Sequence, residues 1–524
     1  MPEPVMIYDT TLRDGSQSEG VSFSSEDKLE ILKKLDEFGV DFVEGGWPGS
    51  NPRDDEFFEL AGKTKLGHAK LTAFGSTGRH GTPAEDDPNL RNLASCPAEW
   101  CCIFGKTWDF HVTDALCVPL EDNLTMIRDS IRFLRKSGKR VLFDAEHFFD
   151  GYRSNREYAL KSLCAAVEGG AEWLVLCDTN GGSMTGDITP AVEDVLLTFG
   201  VPVGIHCHND SDLAVANSLA AVESGAMMVQ GTINGIGERC GNANLCSVMA
   251  NLNLKMGYEL SAADLSRLTK VSEFIAETAN LTSSPGMPYV GEKAFAHKGG
   301  IHVSAVARNP RTYEHVKPEL VGNRRRVLIS DMAGRASISE KLKDFGIDVD
   351  SEESRIIVGE IKKLEAEGYQ FEGADASFEL LARRLKGESE CPFRVTGFRV
   401  FIDNAGDRIS SEASVKVMDP DGNEEHTAAN GDGPVNALDN SLRKALSKLF
   451  PVTGRVRLTD YKVRVLDEKS ATAASVRVLI RSTDGKQSWT TIGVSANVIE
   501  ASLDALVDSM EYAIYKNNGK EDTE

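Results

Sequence analysis

The stretch VMIYDTTLRDGSQ, residues 5–17, is a short apolar run that ends in small polar and charged residues. A run of this length, bounded by turn residues, is typical of a buried strand. A doubly wound nucleotide-binding sheet usually carries a glycine-rich phosphate turn after an early strand, whereas here the strand ends in TTLRDGSQ. The first strand therefore argues against a doubly wound sheet.

Seven further apolar runs follow within the first half of the chain. They are VDFVEGGWP (40–48), KLTAFGS (70–76), WCCIFGK (100–106), RVLFDAEHF (140–148), WLVLCDTNGG (173–182), PVGIHCHND (202–210) and MVQGTINGIGER (228–239). Segments with helical periodicity separate them, such as SSEDKLEILKKLDEFG at 24–39. Strands that alternate with helices pair in parallel through right-handed crossovers, and eight such units in roughly 250 residues match a barrel. We therefore predict an α/β fold, a (β/α)8 TIM barrel over residues 1–262.

Two further regions follow the predicted barrel. Residues 263–390 are mostly helical in pattern and are interrupted by AFAHKGGIHVSAV at 294–306. Beyond 390, ASVKV at 413–417 recurs as ASVRV at 474–478, and each copy has a downstream Asp-Gly pair and a helical segment. We predict a helical linker region over 263–390 and a duplicated α+β domain over 391–524.

The composition limits the possible partners and the compartment. The chain of 524 residues carries 80 acidic against 58 basic side chains, a formal charge of -22, which disfavours nucleic acid or an anionic membrane as a partner. We expect no secretory signal, because the first residues show no basic region followed by an apolar one, and no apolar run approaches the ~20 residues that a membrane helix needs. Its ten cysteines are scattered without a C-x-x-C pair, which is typical of a reducing compartment. We expect a cytoplasmic protein.

Polar side chains cluster where the predicted strands end, and in barrels this rim carries catalysis. His206 and His208 share one face of the seventh strand, although such a pair is equally typical of a polar strand end. Asp14 follows the first strand and Asn242 the eighth, so both can meet the histidines in a closed barrel. This mixed set of ligands leaves zinc, manganese, cobalt and magnesium all possible.

Further residues at the same rim suggest chemistry beyond metal binding. Arg13, beside Asp14, can place a cation next to a developing oxyanion, or it can form a salt bridge to Glu44 or Glu146. Glu146 can act as a general base or orient one. Thr179 is suited to a substrate carboxylate and equally to capping the next turn.

Three motifs carry a family resemblance. DTTLRDGSQ (9–17), HCHND (206–210) and GTINGIGERCGNANL (231–245) resemble the metal-dependent acyl-CoA condensing enzymes of the 2-isopropylmalate synthase and homocitrate synthase family, the DRE-TIM metallolyases. The segment 294–306 and the terminal duplication extend the resemblance over nearly the whole chain. Within this group, VDFVEGGWPGSNPRDDEFF (40–58), DTNGG (178–182) and GIHVSAVARNPRTYEHV (300–316) look most like the citramalate-forming members.

The resemblance implies a role for each candidate residue. Asp14, His206, His208 and Asn242 hold the divalent metal in the family. Arg13 polarises the keto oxygen, Glu146 is an acid/base group and Thr179 contacts the carboxylate, while Glu44 joins the candidate substrate-binding residues. The resemblance also implies that His302 and Tyr313 reach over a barrel mouth of the partner subunit as catalytic residues. For His297 we keep the simpler interpretation of a loop histidine.

The implied reaction is a Claisen condensation. Acetyl-CoA and pyruvate are the substrates, and thioester hydrolysis releases citramalate and CoA for isoleucine biosynthesis. The alternative is 2-isopropylmalate or homocitrate synthesis from another 2-oxo acid. The duplicated domain resembles the family's regulatory module, which implies a homodimer and isoleucine as a feedback inhibitor.

Other barrel enzymes fit less well. A biotin-dependent carboxyltransferase is expected to have a metal-binding lysine near the sixth strand, and CDTNGG has none. A hydroxymethylglutaryl-CoA lyase is expected to have a glycine-rich, cysteine-bearing loop after the eighth strand, whereas GERCGNANL follows the synthase form. A non-catalytic amino-acid sensor is disfavoured because Arg13, Asp14, Glu146, His206 and His208 are all intact.

Overall fold

The computed structural model describes residues 4–328, 335–389, 391–405, 408–466 and 474–521. The chain divides into two compact units, Met1–Phe295 with Val316–Arg325, and Ala296–His315 with Arg326–Glu524. Each unit is described by itself below. The predicted boundaries at residues 262 and 390 stay predictions. Within the described ranges, no helix combines the length and the apolar character needed to span a membrane.

The first unit contains a closed barrel of eight strands, which confirms the predicted fold class. The strands are β1 (Met6–Asp9), β2 (Phe42–Gly46), β3 (Lys70–Ser76), β4 (Trp100–Lys106), β5 (Arg140–Glu146), β6 (Trp173–Asp178), β7 (Val203–Cys207) and β8 (Met228–Gly231). Each strand pairs in parallel with the next, and β1 pairs with β8 in the register Met6↔Met228 to close the ring.

Helices follow the strands in the βα order that the sequence predicts. They are α1 (Ser25–Phe38), α2 (Pro52–Ala61), α3 (Pro88–Ser95), α4 (Leu120–Lys136), α5 (Phe148–Ser154), α6 (Arg156–Gly169), α7 (Thr185–Thr198), α8 (Ala214–Glu223), α9 (Leu245–Leu254) and α10 (Leu268–Thr278). Ser24 caps α1 in a reciprocal capping box with Asp27. Short 3-10 helices lie at Gly15–Gln17, Ile233–Gly235, Leu265–Arg267 and Pro318–Val321, and a π-helix lies at His111–Leu116.

The barrel interior changes character along the strands. Leu142 precedes Asp144 on β5, and Met228 precedes Gln230 on β8, at inward positions two residues apart. The apolar members of the interior are Tyr8, Phe42, Phe74, Trp100, Cys102, Leu142, Val175, Cys177 and Met228. Polar side chains are therefore concentrated towards the carboxyl ends of the strands, above an apolar floor.

The second unit begins with short elements and a helical region. These are β9 (Ala296–His297), α11 (Gly300–Arg308), a 3-10 helix at Pro310–Thr312, β10 (Arg326–Val327), α12 (Arg335–Asp344), α13 (Ser351–Ala366) and α14 (Asp375–Lys386). Strand β9 pairs in parallel with β10.

Two copies of a βββα arrangement follow, which confirms the duplicated α+β domain. The first copy is β11 (Arg394–Ala405), β12 (Arg408–Met418), β13 (Glu424–Gly431) and α15 (Pro434–Leu449). The second is β14 (Arg457–Val465), β15 (Val476–Thr483), β16 (Ser488–Ser495) and α16 (Val498–Glu521), preceded by a 3-10 helix at Pro451–Arg455. Each set of strands forms a three-stranded antiparallel sheet, and one apolar core joins both copies.

Candidate active site

Three predicted metal ligands meet at the carboxyl ends of the barrel strands. His206 Nε2 lies 3.3 Å from His208 Nε2 and 3.5 Å from Asp14 Oδ2, and His208 Nε2 lies 3.9 Å from the same oxygen. All three side chains are buried. The shared strand face places the two imidazoles side by side, and the closure of β1 on β8 brings Asp14 to them across the sequence.

Asn242 joins this cluster from the loop after β8. It forms an isolated bridge with His208, and its Nδ2 donates to Ile236 O at 3.1 Å, which leaves its carbonyl oxygen free. Gly237 makes this approach possible because its φ is +157° and a Cβ there would lie 2.2 Å from Asn242 Nδ2. The loop therefore places Asn242, with its amide oxygen unpaired, next to His208 along the chain backbone.

The unpaired atoms of this cluster fit a cation. Among the described residues, Asp14 Oδ1 and Asn242 Oδ1 are buried without a hydrogen-bonding partner. Buried acceptors without donors are costly, and two imidazole nitrogens that face each other add repulsion between lone pairs when neither carries a proton. A divalent ion among Asp14, His206, His208 and Asn242 relieves both costs, and these nitrogen and oxygen donors suit several metals.

The protonation of two ligands also suits a cation. Burial favours the neutral form of Asp14, but Arg13 and the two histidines outweigh it and lower the pKa of Asp14 to about 2. Burial, followed by the neighbouring His206, lowers the pKa of His208 to about 4. At neutral pH the cluster therefore offers a carboxylate and a neutral imidazole, the forms that bind metals.

Arg13 is held in place from two sides. Its Nε donates to Glu44 Oε1 at 2.5 Å, its Nη1 lies 3.3 Å from Asp14 Oδ2, and its guanidinium carbon lies 3.6 Å from the centre of the Phe74 ring. Burial alone lowers the pKa of Arg13, but the Glu44 and Asp14 carboxylates outweigh it and raise it. Arg13 is therefore a fixed cation beside the metal cluster.

Glu44 is fully buried, and both of its carboxylate oxygens are engaged within the protein. Tyr8 Oη donates to Oε2 at 2.7 Å, while Arg13 bonds to Oε1. Glu44 therefore holds Arg13 in place, and the substrate contact predicted for it from the sequence stays a prediction.

Three aromatic rings form one wall of the cavity above these residues. Phe74 stacks on Phe104 with ring centres 5.5 Å apart, and Trp47 contacts both rings edge-on at 5.7 and 5.9 Å. Trp47 Nε1 donates to Asn89 Oδ1 at 2.7 Å, which fixes the indole. The cavity is about 230 Å³, and its lining also includes Asp14, His206, His208, Arg13, Glu146 and Thr179. Its size suits a small organic acid.

Glu146 and Thr179 also line the cavity. Lys106 Nζ forms an ion pair with Glu146 Oε2, because parallel pairing places Lys106 of β4 beside Glu146 of β5. The backbone N–H of His147 donates to Thr179 Oγ1 at 2.9 Å, so the Thr179 hydroxyl proton remains available to a ligand. Thr179 is thus placed to donate to a carboxylate.

Sequence reasoning missed three residues of this region. They are Lys106, Gln230, which contacts His206, and Arg239, which pairs with Asp210 at 2.8 Å and donates to Thr179 O. Arg239 lies inside the motif GERCGNANL, so the motif could have indicated it as a site residue. Lys106 and Gln230 stand at ordinary strand positions and carried none.

His302 and Tyr313 belong to the second compact unit, whereas the other eight predicted site residues belong to the first. Their rings are 4.1 Å apart at an angle of 30°, and 46% of Tyr313 is exposed. His297 Nε2 lies 3.3 Å from Glu314 Oε1. The structure therefore pairs His302 with Tyr313, and their part in catalysis stays a prediction.

Comparison with known families divides the chain into three parts. Residues 4–275 match the HMGL-like family, which covers the barrel. Residues 289–369 match the homocitrate synthase post-HMGL domain-like family, and residues 372–514 match the LeuA allosteric (dimerisation) domain.

Several relatives align along almost the entire chain. An (R)-citramalate synthase of Aquifex aeolicus is 53% identical over 523 residues, covering 99% of both chains. An (R)-citramalate synthase of Geobacter sulfurreducens is 52% identical and covers 98% of both. A probable 2-isopropylmalate synthase of Methanopyrus kandleri is 35% identical, covering 97% of this chain and 98% of the relative.

Proposed function

The chain belongs to the HMGL-like family, and on that premise we propose that it is an (R)-citramalate synthase, an acyltransferase that joins acetyl-CoA to pyruvate. Relatives with that name share about half of all residues over nearly the full length of both chains. The observation that carries the proposal is the cavity of about 230 Å³, whose lining combines three metal-binding side chains, Arg13 and Thr179 with an aromatic wall. The metal site and Arg13 suit the keto oxygen of a 2-oxo acid, and Thr179 suits its carboxylate. The aromatic wall favours a 2-oxo acid with a small side chain.

The proposed metal site consists of Asp14, His206, His208 and Asn242. When a divalent cation is bound there, it supplies a Lewis acid for the keto group of the substrate. Arg13, fixed by Glu44, faces the same region and stabilises negative charge on that oxygen as the carbon–carbon bond forms. Thr179 donates its hydroxyl proton to the substrate carboxylate.

The acid/base step is assigned to Glu146. A carboxylate there takes a methyl proton from acetyl-CoA, and the resulting enolate carbon attacks the keto carbon of pyruvate. The keto oxygen accepts a proton to become the hydroxyl group, and water then cleaves the thioester to a carboxylate and the CoA thiol. Lys106, paired with Glu146, holds that carboxylate in a fixed position at the cavity.

The nearest alternative is a sister synthase that uses a larger 2-oxo acid, since a probable 2-isopropylmalate synthase is also a full-length relative. Release of the CoA thiol from acetyl-CoA distinguishes the two when pyruvate, 2-oxobutanoate, 2-oxoisovalerate and 2-oxoglutarate are compared. We expect the highest kcat/KM with pyruvate. Turnover of 2-oxoisovalerate without turnover of pyruvate would overturn the proposal.

We propose that the protein is a homodimer regulated through its duplicated domain. That region matches the LeuA allosteric (dimerisation) domain. Strands β11 and β14 each lie at one edge of a sheet, and they expose apolar side chains such as Ile402 (62%) and Val463 (46%). A second copy covers such edges. Sedimentation is expected to give a dimer.

Isoleucine is the proposed feedback inhibitor, because citramalate feeds isoleucine biosynthesis. Activity is expected to fall when isoleucine is added at millimolar concentration, and leucine serves as the comparison. An enzyme indifferent to both amino acids would remove this part of the proposal. A cytoplasmic location, expected from the cysteine spacing, belongs to the proposal as well.

A further inference from the structure

His206 has a protein partner on the nitrogen that faces away from the metal cluster. Its Nδ1 lies 2.8 Å from Gln230 Oε1, and parallel pairing of β7 with β8 places these two residues side by side. Both side chains are buried, with Gln230 fully so. This contact is inside the barrel and does not involve the cavity that receives substrate.

Asp144 determines which way the side-chain amide of Gln230 is turned. Gln230 Nε2 donates to Asp144 Oδ1 at 3.1 Å, and Asp144 is also hydrogen-bonded to the Cys102 thiol. Asp144 thus accepts from two donors, and this acceptor holds the amide nitrogen and turns the carbonyl oxygen of Gln230 towards His206. The amide cannot flip without bringing its oxygen against Asp144.

The contact with Gln230 also affects the nitrogen of His206 that faces the metal cluster. A carbonyl oxygen at His206 Nδ1 requires a proton on that nitrogen, so the lone pair of a neutral ring resides on Nε2. We infer that Gln230, oriented by Asp144, is a positioning residue that fixes the tautomer of His206 and thereby prepares Nε2 to bind the metal. This inference rests on the proposed metal site and adds to it a residue that touches neither metal nor substrate.

The second histidine shows that this arrangement is specific to His206. His208 Nδ1 is buried without a hydrogen-bonding partner among the described residues. Only one of the two imidazoles is therefore held in a single tautomer by the protein. Carboxylate or carbonyl partners of metal-bound histidines orient the ring in the same manner, and their loss typically weakens metal affinity about 10–100-fold.

A purely structural role for Gln230 predicts a different outcome from the same substitutions. If Gln230 only fills space, Gln230→Met is the milder change, since it has similar volume and no polar atom to satisfy. Gln230→Glu is then the harsher change, because it places a second carboxylate beside Asp144 inside the barrel. If Gln230 fixes the tautomer, Gln230→Met is instead the more damaging change for metal affinity. Glutamate still accepts a hydrogen bond from His206 Nδ1, whereas methionine does not.

The test measures the affinity of the full-length, metal-stripped protein for Co²⁺ and Mn²⁺, without substrate, by competition with a chromophoric chelator. We expect Gln230→Met to lose about 10–100-fold in affinity and Gln230→Glu to stay within a few-fold of the parent protein. Circular dichroism and thermal unfolding of the metal-free variants check that each folds. Gln230→Ala, which also lacks an acceptor, replaces the methionine variant if that one does not fold.

Two results overturn the inference. One is Gln230→Met with parental affinity, and the other is equal loss in the Met and Glu variants when both are folded. His206→Ala separates this failure from that of the proposed function. If the parent protein binds Co²⁺ and His206→Ala does not, the metal site stands and only the role of Gln230 is refuted. If His206→Ala binds as well as the parent, the metal site itself is wrong.

Discussion

Arg13 Nε and Glu44 Oε1 are 2.5 Å apart inside the barrel, and this salt bridge directs the guanidinium towards the metal cluster. A structural ion pair and a catalytic cation are alternatives when only the sequence is known. In the structure they are one arrangement, because Nε bonds to Glu44 while Nη1 lies 3.3 Å from Asp14 Oδ2. The ion pair restricts the rotation of the side chain that the proposed reaction needs.

The first prediction separates metal binding from charge stabilisation. His206→Ala is expected to abolish both bound metal and activity, because it removes one of the ligands. Arg13→Ala is expected to keep the metal but lose activity by about 100–1000-fold, the usual cost of losing an oxyanion-stabilising group. Elemental analysis and CoA thiol release measure the two properties. Loss of metal in Arg13→Ala would refute the electrophilic role of Arg13.

The second prediction concerns Lys106. Lys106→Met leaves Glu146 without its ion-pair partner and is expected to lower kcat about 10–100-fold, in the range of a general-base contribution, with bound metal unchanged. Lys106→Arg keeps a cation beside Glu146 and serves as the matched control. Steady-state kinetics with pyruvate check the result. A methionine variant as active as the arginine variant would show that the ion pair has no part in the reaction.

The third prediction concerns the choice of 2-oxo acid. Phe104→Ala removes one ring of the aromatic wall and is expected to improve the kcat/KM ratio of 2-oxobutanoate to pyruvate by about 10–200-fold, the range for one methylene in an apolar pocket. Phe74→Ala is the comparison, because that ring also supports Arg13 and its loss is expected to lower activity with both acids. An unchanged ratio in Phe104→Ala would place the selective contact elsewhere.

The fourth prediction concerns the pH dependence of stability. Burial raises the pKa of Asp9 from 3.8 to about 7, despite hydrogen bonds from Thr11. The folded protein therefore holds a proton that the unfolded chain releases above about pH 4, and the stability linked to it is lost as pH rises through 7. Asp9→Asn has no such proton, so its thermal unfolding midpoint is expected to rise relative to that of the parent protein between about pH 4 and pH 7. Parallel curves over this range contradict the prediction.

The fifth prediction tests whether His302 acts across a dimer. One chain with Arg13→Ala and one with His302→Ala, each expected to be inactive as a homodimer, are combined in one heterodimer through two different affinity tags. If His302 serves the barrel of the partner, one site of the heterodimer is intact and about half of the parental activity returns. If His302 serves its own barrel, both sites remain defective and no activity returns. A heterodimer of Arg13→Ala with the parent chain is the control.

Much of the fold could be predicted from the sequence because its determinants are local. Eight short apolar runs alternate with helical segments, and this pattern specifies parallel strands joined by helices. The shared face of His206 and His208 follows from the two-residue period of a strand. Barrel closure then made the approach of Asp14 predictable from strand order alone.

Contacts between strands could not be predicted in this way. The pairing of Lys106 with Glu146 depends on the register of β4 and β5, and that of Gln230 with His206 on the register of β7 and β8. Neither residue differs in local pattern from an ordinary strand position. The role of Glu44 likewise required the structure, because it depends on which groups occupy its two oxygens.

The sequence by itself determined the barrel, the duplicated domain and the residue types that converge at the strand ends, since periodicity and chain order encode them. Only the tertiary structure decided the partner of each side chain within the barrel. Those partnerships orient Arg13 and His206, and they arise from register and closure, which join residues far apart in the chain.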